Sequence, residues 1–93
     1  MEIKDNELLR QFEIITSTGL VAIEYAVQER KLFLTKFCPN SNEDEELHNE
    51  FITNVLEIAI ERKLKVVPAF AKFVSFFRKN KKYRELLPPG IKI

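Results

Sequence analysis

Hydrophobic and polar positions alternate with a period of two residues through the first part of the chain. QFEIIT and LVAIEYAV are rich in β-branched and aromatic residues, and STG separates them, which predicts a β-hairpin. A break at QERK leads to LFLTKFC, a third predicted strand. Because the connections are short, we expect an antiparallel meander. On the second strand Val21, Ile23, Tyr25 and Val27 share one face, and Glu24 lies on the other.

After Pro39 the apolar positions recur with the period of an α-helix. This pattern predicts a helix over residues 43–63, with Asn42 and Glu45 forming a capping box at its start. One helical stripe consists of Leu47, Phe51, Val55, Ala59 and Arg62, with Ile52, Leu56 and Ile60 beside it. The segment LKVV that follows predicts a short buried strand ending at Pro68.

Aromatic residues dominate a second predicted helix, AFAKFVSFFRKN. The residues at helical spacing are Phe70, Phe73, Val74 and Phe77. Phe76 and Phe77 cannot share one narrow stripe, so we expect one of them to pack against the tail or a partner chain, which leaves a homodimer open. The order β-β-β-α-β-α predicts a single α+β domain spanning 1–93, with the long helix packed on a twisted, mostly antiparallel sheet. Residues 1–10 and 88–93 are expected to be loose ends.

Composition narrows the class of protein. Ninety-three residues with 15 basic and 14 acidic side chains leave a net charge of +1, so global attraction to a polyanion is not expected. One cysteine rules out an internal disulfide and predicts a reducing, cytoplasmic compartment. Apolar runs are too short for a membrane span, so no membrane partner is expected.

Two segments, taken with the order of elements, resemble the GNAT acetyltransferase superfamily, and its very small single-domain members in particular. AIEYAV resembles the second strand of that family, and LEIAIERKLKVVPAFAKFVSFFRKNKKYRELL resembles its helix, strand and following helix, closing near Tyr83. The resemblance covers about residues 12–87. It implies a minimal GNAT-like fold, acetyl-coenzyme A as cofactor, and acetyl transfer to an amine acceptor that the sequence leaves unidentified.

The sequence departs from that family at the loop that holds the coenzyme pyrophosphate. The family loop is of the type Arg/Gln-x-x-Gly-x-Gly/Ala, and its backbone N–H groups and helix dipole cradle the phosphates. The corresponding residues here contain no glycine and no Arg or Lys: Glu43, Asp44, Glu45, Glu46, Leu47 and His48. Their carboxylates favour the helix start and repel phosphates. We therefore expect weak or no binding of acetyl-coenzyme A and weakened or lost activity; the alternative is a non-catalytic GNAT-fold binding module.

Four further residues are candidates for chemistry. The resemblance places the thioester near the backbone of Phe37 and Cys38, although the position of Cys38 at the end of an apolar strand favours a structural role. Tyr83 matches a family position for a general acid, or packs its ring beneath the tail near two leucines. Glu24 could act as a base through water, or simply face solvent on its strand.

Three other features carry less weight. His48 has neither a second histidine nor a cysteine cluster nearby, so no metal site is expected. Where the family often has a cysteine and a histidine, this chain has Phe70 and Asn80. The run Arg78–Arg84 places five cations around one tyrosine. Such a run resembles a nucleic-acid-binding patch, but more often it is the solvated end of a helix. Nucleic acid is therefore not the expected partner.

Overall fold

The computed structural model describes residues 1–39 and 44–93. Within these residues the chain forms five strands, two α-helices and a short 3-10 helix. In chain order they are β1 (Lys4–Asn6), β2 (Gln11–Thr16), β3 (Gly19–Gln28), β4 (Lys31–Cys38), α1 (Glu45–Glu61), β5 (Lys65–Pro68), α2 (Ala71–Lys79) and the 3-10 helix Lys81–Leu86.

The strands form one sheet in the order β1-β2-β3-β4-β5. The first four strands are antiparallel neighbours, and β5 pairs with β4 in parallel. The predicted meander of β2, β3 and β4 is therefore confirmed. Its first hairpin closes at the pair Thr16–Gly19, where Gly19 adopts a φ of 132° that other residues rarely reach.

The two chain ends differ from their predicted loose state. Residues 4–6 lie within the expected N-terminal loose end, yet they form β1 and pair with residues 11–13 of β2. At the other end, residues 88–93 form no helix or strand, but Pro88 is buried and Ile93 packs partly against the core. The sheet consequently has one strand more than the predicted order contains.

A bulge in the β3–β4 pairing decides which side chains of β4 face the core. The register shifts between Glu24 and Tyr25, so Tyr25 pairs with Leu34 while Ile23 pairs with Phe37. An extra residue in one strand lets Leu34 and Phe37 point to the same face although they are three positions apart. Both are buried there.

Helix α1 begins two residues later than predicted. Its N-cap is Asp44, whose carboxylate accepts the backbone N–H of Leu47 at 2.8 Å, so the predicted Asn42–Glu45 capping box is wrong. Asn42 itself and Glu43 lie outside the described residues. The buried stripe is close to the predicted one, with Phe51, Ile52, Val55, Leu56 and Ala59 facing the sheet. Ile60 is 45% exposed instead of flanking the core.

Both helices cover the same face of the sheet. Phe73, Phe76 and Phe77 of α2 belong to the same buried cluster as the apolar stripe of α1. Phe70 differs from its prediction, since it caps α2 and is 40% exposed. Phe76 lies 6.2 Å from the ring of Tyr83, which confirms that one of the two adjacent phenylalanines packs against the tail.

Arg62 joins the end of α1 to the first strand. Its guanidinium lies 2.9 Å from the carboxylate of Asp5 on β1, and it stacks over the ring of Phe12 at 5.9 Å. Asp5 also accepts the hydroxyl proton of Tyr25. Burial, followed by the hydrogen bond and charge of Asp5, raises the pKa of Tyr25 to about 12.

In the described part of the chain, no helix has the length and apolarity that crossing a bilayer requires.

The cap of α1 predicts a specific loss of stability. Asp44→Ala should lower the free energy of unfolding by about 1 kcal/mol, because the N–H of Leu47 loses its side-chain acceptor. The exposed neighbour Glu46 provides the control, since Glu46→Ala removes only a surface charge near the helix dipole, worth about 0.3 kcal/mol. Urea unfolding of both variants measures the difference, and equal losses would show that Asp44 does not act as the cap.

The raised pKa of Tyr25 predicts a loss of stability at alkaline pH. Above pH ~10 the phenol ionises in the unfolded chain, whereas in the folded protein it stays protonated up to about pH 12. Between these values the free energy of unfolding should fall by up to about 1.4 kcal/mol per pH unit on account of this residue. Denaturation followed from pH 9 to 12 should give a shallower decline for Tyr25→Phe. Identical slopes would refute the role of Tyr25.

Candidate functional site

The candidate site lies where β4 and β5 separate. Their parallel pairing runs from Lys31–Lys65 to Leu34–Pro68, and the last backbone bond joins the N–H of Ala69 to the carbonyl of Leu34 at 3.0 Å. Strand β4 continues to Cys38, while the chain after Pro68 turns into α2. A gap at the carboxyl ends of parallel strands, next to helix N-termini, is the usual ligand position in sheets of this kind.

Aromatic rings fill this gap on the helix-covered face. The ring of Phe37, 6% exposed, meets the ring of His48 on α1 at 4.8 Å and that of Phe73 on α2 at 6.1 Å. Phe70 extends the cluster, with its ring 6.2 Å from Phe73. The candidate contact Phe37 therefore serves as a core residue that holds the starts of both helices against the end of β4.

An ion pair spans the two helices above these rings. The ammonium group of Lys72 lies 3.0 Å from a carboxylate oxygen of Glu45 and 5.4 Å from the centre of the Phe37 ring. We call this contact the Glu45–Lys72 bridge. The hydrogen bond from Lys72, then its charge, lowers the pKa of Glu45. The cleft left between the helices has a volume of about 250 Å³, below the roughly 300–1,000 Å³ of typical ligand pockets.

The acidic start of α1 thus has internal partners in this structure. Asp44 accepts a backbone N–H of the first turn, and Glu45 holds Lys72. Glu46 is exposed, and Leu47 packs partly against the core. The remaining residue of the predicted loop, Glu43, lies outside the described residues.

Cys38 lies on the opposite face of the sheet from Phe37, since successive strand residues alternate. Its thiol lies 3.4 Å from a carboxylate oxygen of Glu24 on β3. Burial, then the hydrogen bond and charge of Glu24, raises the pKa of the thiol, and Lys36 opposes this shift. The thiol is therefore protonated at neutral pH, which favours a structural role over that of a nucleophile. This pairing also engages the candidate base Glu24.

Tyr83 lies far from the gap. Its ring is 5% exposed, and its hydroxyl lies 3.0 Å from a carboxylate oxygen of Glu57. Glu57 is about 18 Å along α1 from Glu45, at 1.5 Å per residue. Burial, then the hydrogen bond and charge of Glu57, raises the pKa of Tyr83. The geometry agrees with the alternative in which the ring packs beneath the tail, where Leu86 is buried.

The five cations of the run Arg78–Arg84 are all exposed. Arg78 and Lys79 occupy the last turn of α2, where positive charge is favoured by the helix dipole. Lys82 lies over the ring of Tyr83 at 5.0 Å. Within the described residues, no group of three or more His, Cys, Asp or Glu side chains could hold a metal ion.

Lys72 is the site residue that sequence reasoning missed. It is in the first turn of α2, and that turn contains no acidic residue, although the helix dipole disfavours a cation there. A lone lysine at such a position is a signal that an external anion holds it. Here the anion is Glu45, 27 positions away in sequence.

Neither a protein-family model nor a curated protein matches the chain. Among solved structures, the chain is similar to the NMR solution structure of a "GCN5-like putative N-acetyltransferase" from Staphylococcus aureus, with a TM-score of 0.74 and 22% sequence identity. The match covers 98% of this chain and 90% of that chain. At this identity the likeness establishes the fold, so the predicted GNAT-like α+β architecture is confirmed.

The environment of Cys38 predicts how its reactivity depends on pH. Alkylation by iodoacetamide should be slow at neutral pH, with a midpoint above that of a free thiol, because the neutral thiol is favoured. Glu24→Ala should shift the midpoint to lower pH, since it removes a hydrogen bond and a charge that raise the pKa. Lys36→Ala should shift it to higher pH, because Lys36 lowers the pKa. Shifts in the same direction for both variants would contradict this electrostatic account.

Proposed function

We propose that the protein is an acetyltransferase-like domain of the GNAT fold in which acetyl transfer from acetyl-coenzyme A to an amine is weakened or lost, and which acts mainly as a binding module. The observation that carries the proposal is the Glu45–Lys72 bridge. It joins the starts of α1 and α2 at 3.0 Å, where a GNAT-type coenzyme would have to enter.

The bridge alone is a weak barrier. An exposed ion pair contributes about 0.2–1 kcal/mol, and an exposed cation–π contact about 0.5–1 kcal/mol. Opening it therefore costs at most about 2 kcal/mol, and the freed Lys72 could itself contact a phosphate. The bridge supports the proposal because it joins the two helix starts across the cleft. A second effect must supply the rest of the loss in coenzyme affinity.

Repulsion between the start of α1 and the phosphates is that second effect. Asp44, Glu45 and Glu46 are three successive carboxylates at the helix start. Each close pair of like charges costs about 1 kcal/mol even in a water-like dielectric. Because Lys72 offsets the charge of Glu45, the repulsion comes from Asp44 and Glu46 and amounts to about 2 kcal/mol. Together with the cost of opening the bridge, this amounts to at most about 4 kcal/mol, or up to about a thousandfold in Kd.

An active acetyltransferase with low coenzyme affinity is the second candidate. Two features favour it: β4 and β5 still separate after Leu34–Pro68, and the N-cap of α2, Phe70, makes no side-chain hydrogen bond to the helix start. A bound thioester would then lie beside the free backbone of β4 near Phe37 and Cys38. The acceptor would be an amine of unidentified structure.

Titration with acetyl-coenzyme A, followed by amide NMR shifts, tests the proposal. The unmodified protein should show no saturation up to about 1 mM, as a thousandfold loss from micromolar affinity requires. The triple variant Asp44→Ser, Glu45→Gln, Glu46→Gln keeps a good N-cap and frees Lys72, so its affinity should rise by ~100-fold or more.

A second triple variant is the matched control. Glu7→Gln, Glu29→Gln and Glu61→Gln change the net charge by the same amount at exposed positions away from the start of α1, so affinity should not rise comparably. Micromolar binding by the unmodified protein would refute the proposal. Equal gains in both triple variants would show that total charge, rather than the helix start, controls binding.

A further inference from the structure

Strand β1 covers only part of the edge of β2. Their pairing extends from Asn6–Gln11 to Lys4–Glu13, whereas β2 continues to Thr16. Hydrogen bonds alternate sides along an antiparallel strand, and Thr16 pairs with Gly19 across a two-residue hairpin loop. The backbone N–H and carbonyl of Ile15 therefore face away from β3, toward an edge where the described residues form no further strand pair.

A cavity of about 980 Å³ lies beside this edge. Its walls are residues 1–4, residues 13–16 of β2 with Ser17 of the hairpin loop, and the first two turns of α1 through Leu47 and Glu50. Apolar side chains line much of it, among them Ile3 and Ile15. Ile15 is 80% exposed, which is unusual for a large apolar side chain on a strand. This volume is at the upper end of the range of roughly 300–1,000 Å³ that is typical of ligand pockets.

The charges around the cavity are mostly negative. Three carboxylates line it, those of Glu2, Glu13 and Glu50, against Lys4 and the terminal ammonium of Met1, although the whole chain has a net charge of +1. Glu13 is 8% exposed, and the hydrogen bond from Gln11 is the main cause that lowers its pKa. It is therefore ionised at neutral pH. Such a surface attracts cations and repels polyanions.

We propose that this cavity binds an extended peptide segment of alternating basic and apolar residues, which adds a strand to the free edge of β2. Backbone hydrogen bonds to Ile15 align the peptide along the edge of β2. Because side chains alternate along a strand, the apolar and basic side chains of the peptide lie on opposite faces. On the face of the sheet that bears Ile15, apolar side chains of the peptide pack on its exposed side chain. On the opposite face, which α1 covers, the basic side chains lie near Glu50. This partner goes beyond the proposed function and requires no coenzyme, because the cavity is on the β1 side of α1, away from the Glu45–Lys72 bridge.

Fluorescence anisotropy with a fluorescein-labelled Lys-Val-Lys-Val-Lys-Val-Lys peptide tests the proposal. Saturable binding is expected, with amide shifts centred on residues 13–17 and on Leu47 and Glu50. The Glu-Val counterpart should not bind. Ile15→Ser should weaken binding by about fivefold or more through lost apolar contact, and Glu50→Lys should weaken it at least as much through charge reversal.

Two matched variants separate the cavity from the general surface. Leu20→Ser alters the exposed apolar neighbour that pairs with Ile15 across the hairpin, and Glu61→Lys reverses an exposed charge at the far end of α1. Neither residue lines the cavity. Both should change the affinity less than twofold. The proposal would be overturned if the test and control variants weakened peptide binding equally, or if the amide shifts were located elsewhere. A dimer detected by sedimentation that occupies this edge would overturn it as well. Acetyl-coenzyme A titration is independent of each of these outcomes.

Discussion

The short parallel pairing of β4 and β5 is the constraint on which the rest of the structure depends. Only four residues of each strand pair, ending at Leu34–Pro68. Beyond that point β4 continues along β3, and the other chain turns into α2. Because parallel strands bring helix N-termini to the same end of a sheet, α1 and α2 both start beside the gap. The protein must fill this gap or leave it to a ligand.

This chain fills the gap with its own side chains. Phe37 brings a ring from the strand, His48 and Phe73 bring rings from the helices, and Glu45 and Lys72 join the helix starts above them. Positive potential at the start of α1 is balanced by Asp44 and its acidic neighbours, as a phosphate would balance it in a coenzyme site. In this GNAT-like fold, side chains of the chain itself therefore make the contacts that join the two helix starts.

Local patterns in the sequence predicted most of the fold. The meander, the long helix and the second helix follow from periods of two and 3.6 residues. Strand β1 was missed because Lys4–Asn6 is three polar residues long, too short to show alternation, and is stabilised by partners as distant in sequence as Tyr25 and Arg62. The cap was misplaced because Asn42 and Asp44 are both good N-cap residues, and sequence alone does not decide between them.

The candidate site was less predictable, for a physical reason. Its acidic loop was visible, since composition at a predicted helix start can be read directly. The Glu45–Lys72 bridge was not visible, because it depends on two helices packing on the same face of the sheet. Tyr83 illustrates the same limit: its position in the chain matched a family residue, but packing places its hydroxyl on Glu57, far along α1 from the gap.

The contact between Lys72 and the Phe37 ring is tested most directly by the proton NMR shifts of the Lys72 side chain in solution. Its side-chain ammonium lies over the Phe37 ring at 5.4 Å, so its terminal methylene protons should show upfield ring-current shifts and nuclear Overhauser contacts with that ring. Both should weaken when Glu45→Gln removes the ion pair. Random-coil shifts for Lys72 without contacts to Phe37, in a folded protein, would mean that the gap between the helix starts is open and would contradict the account.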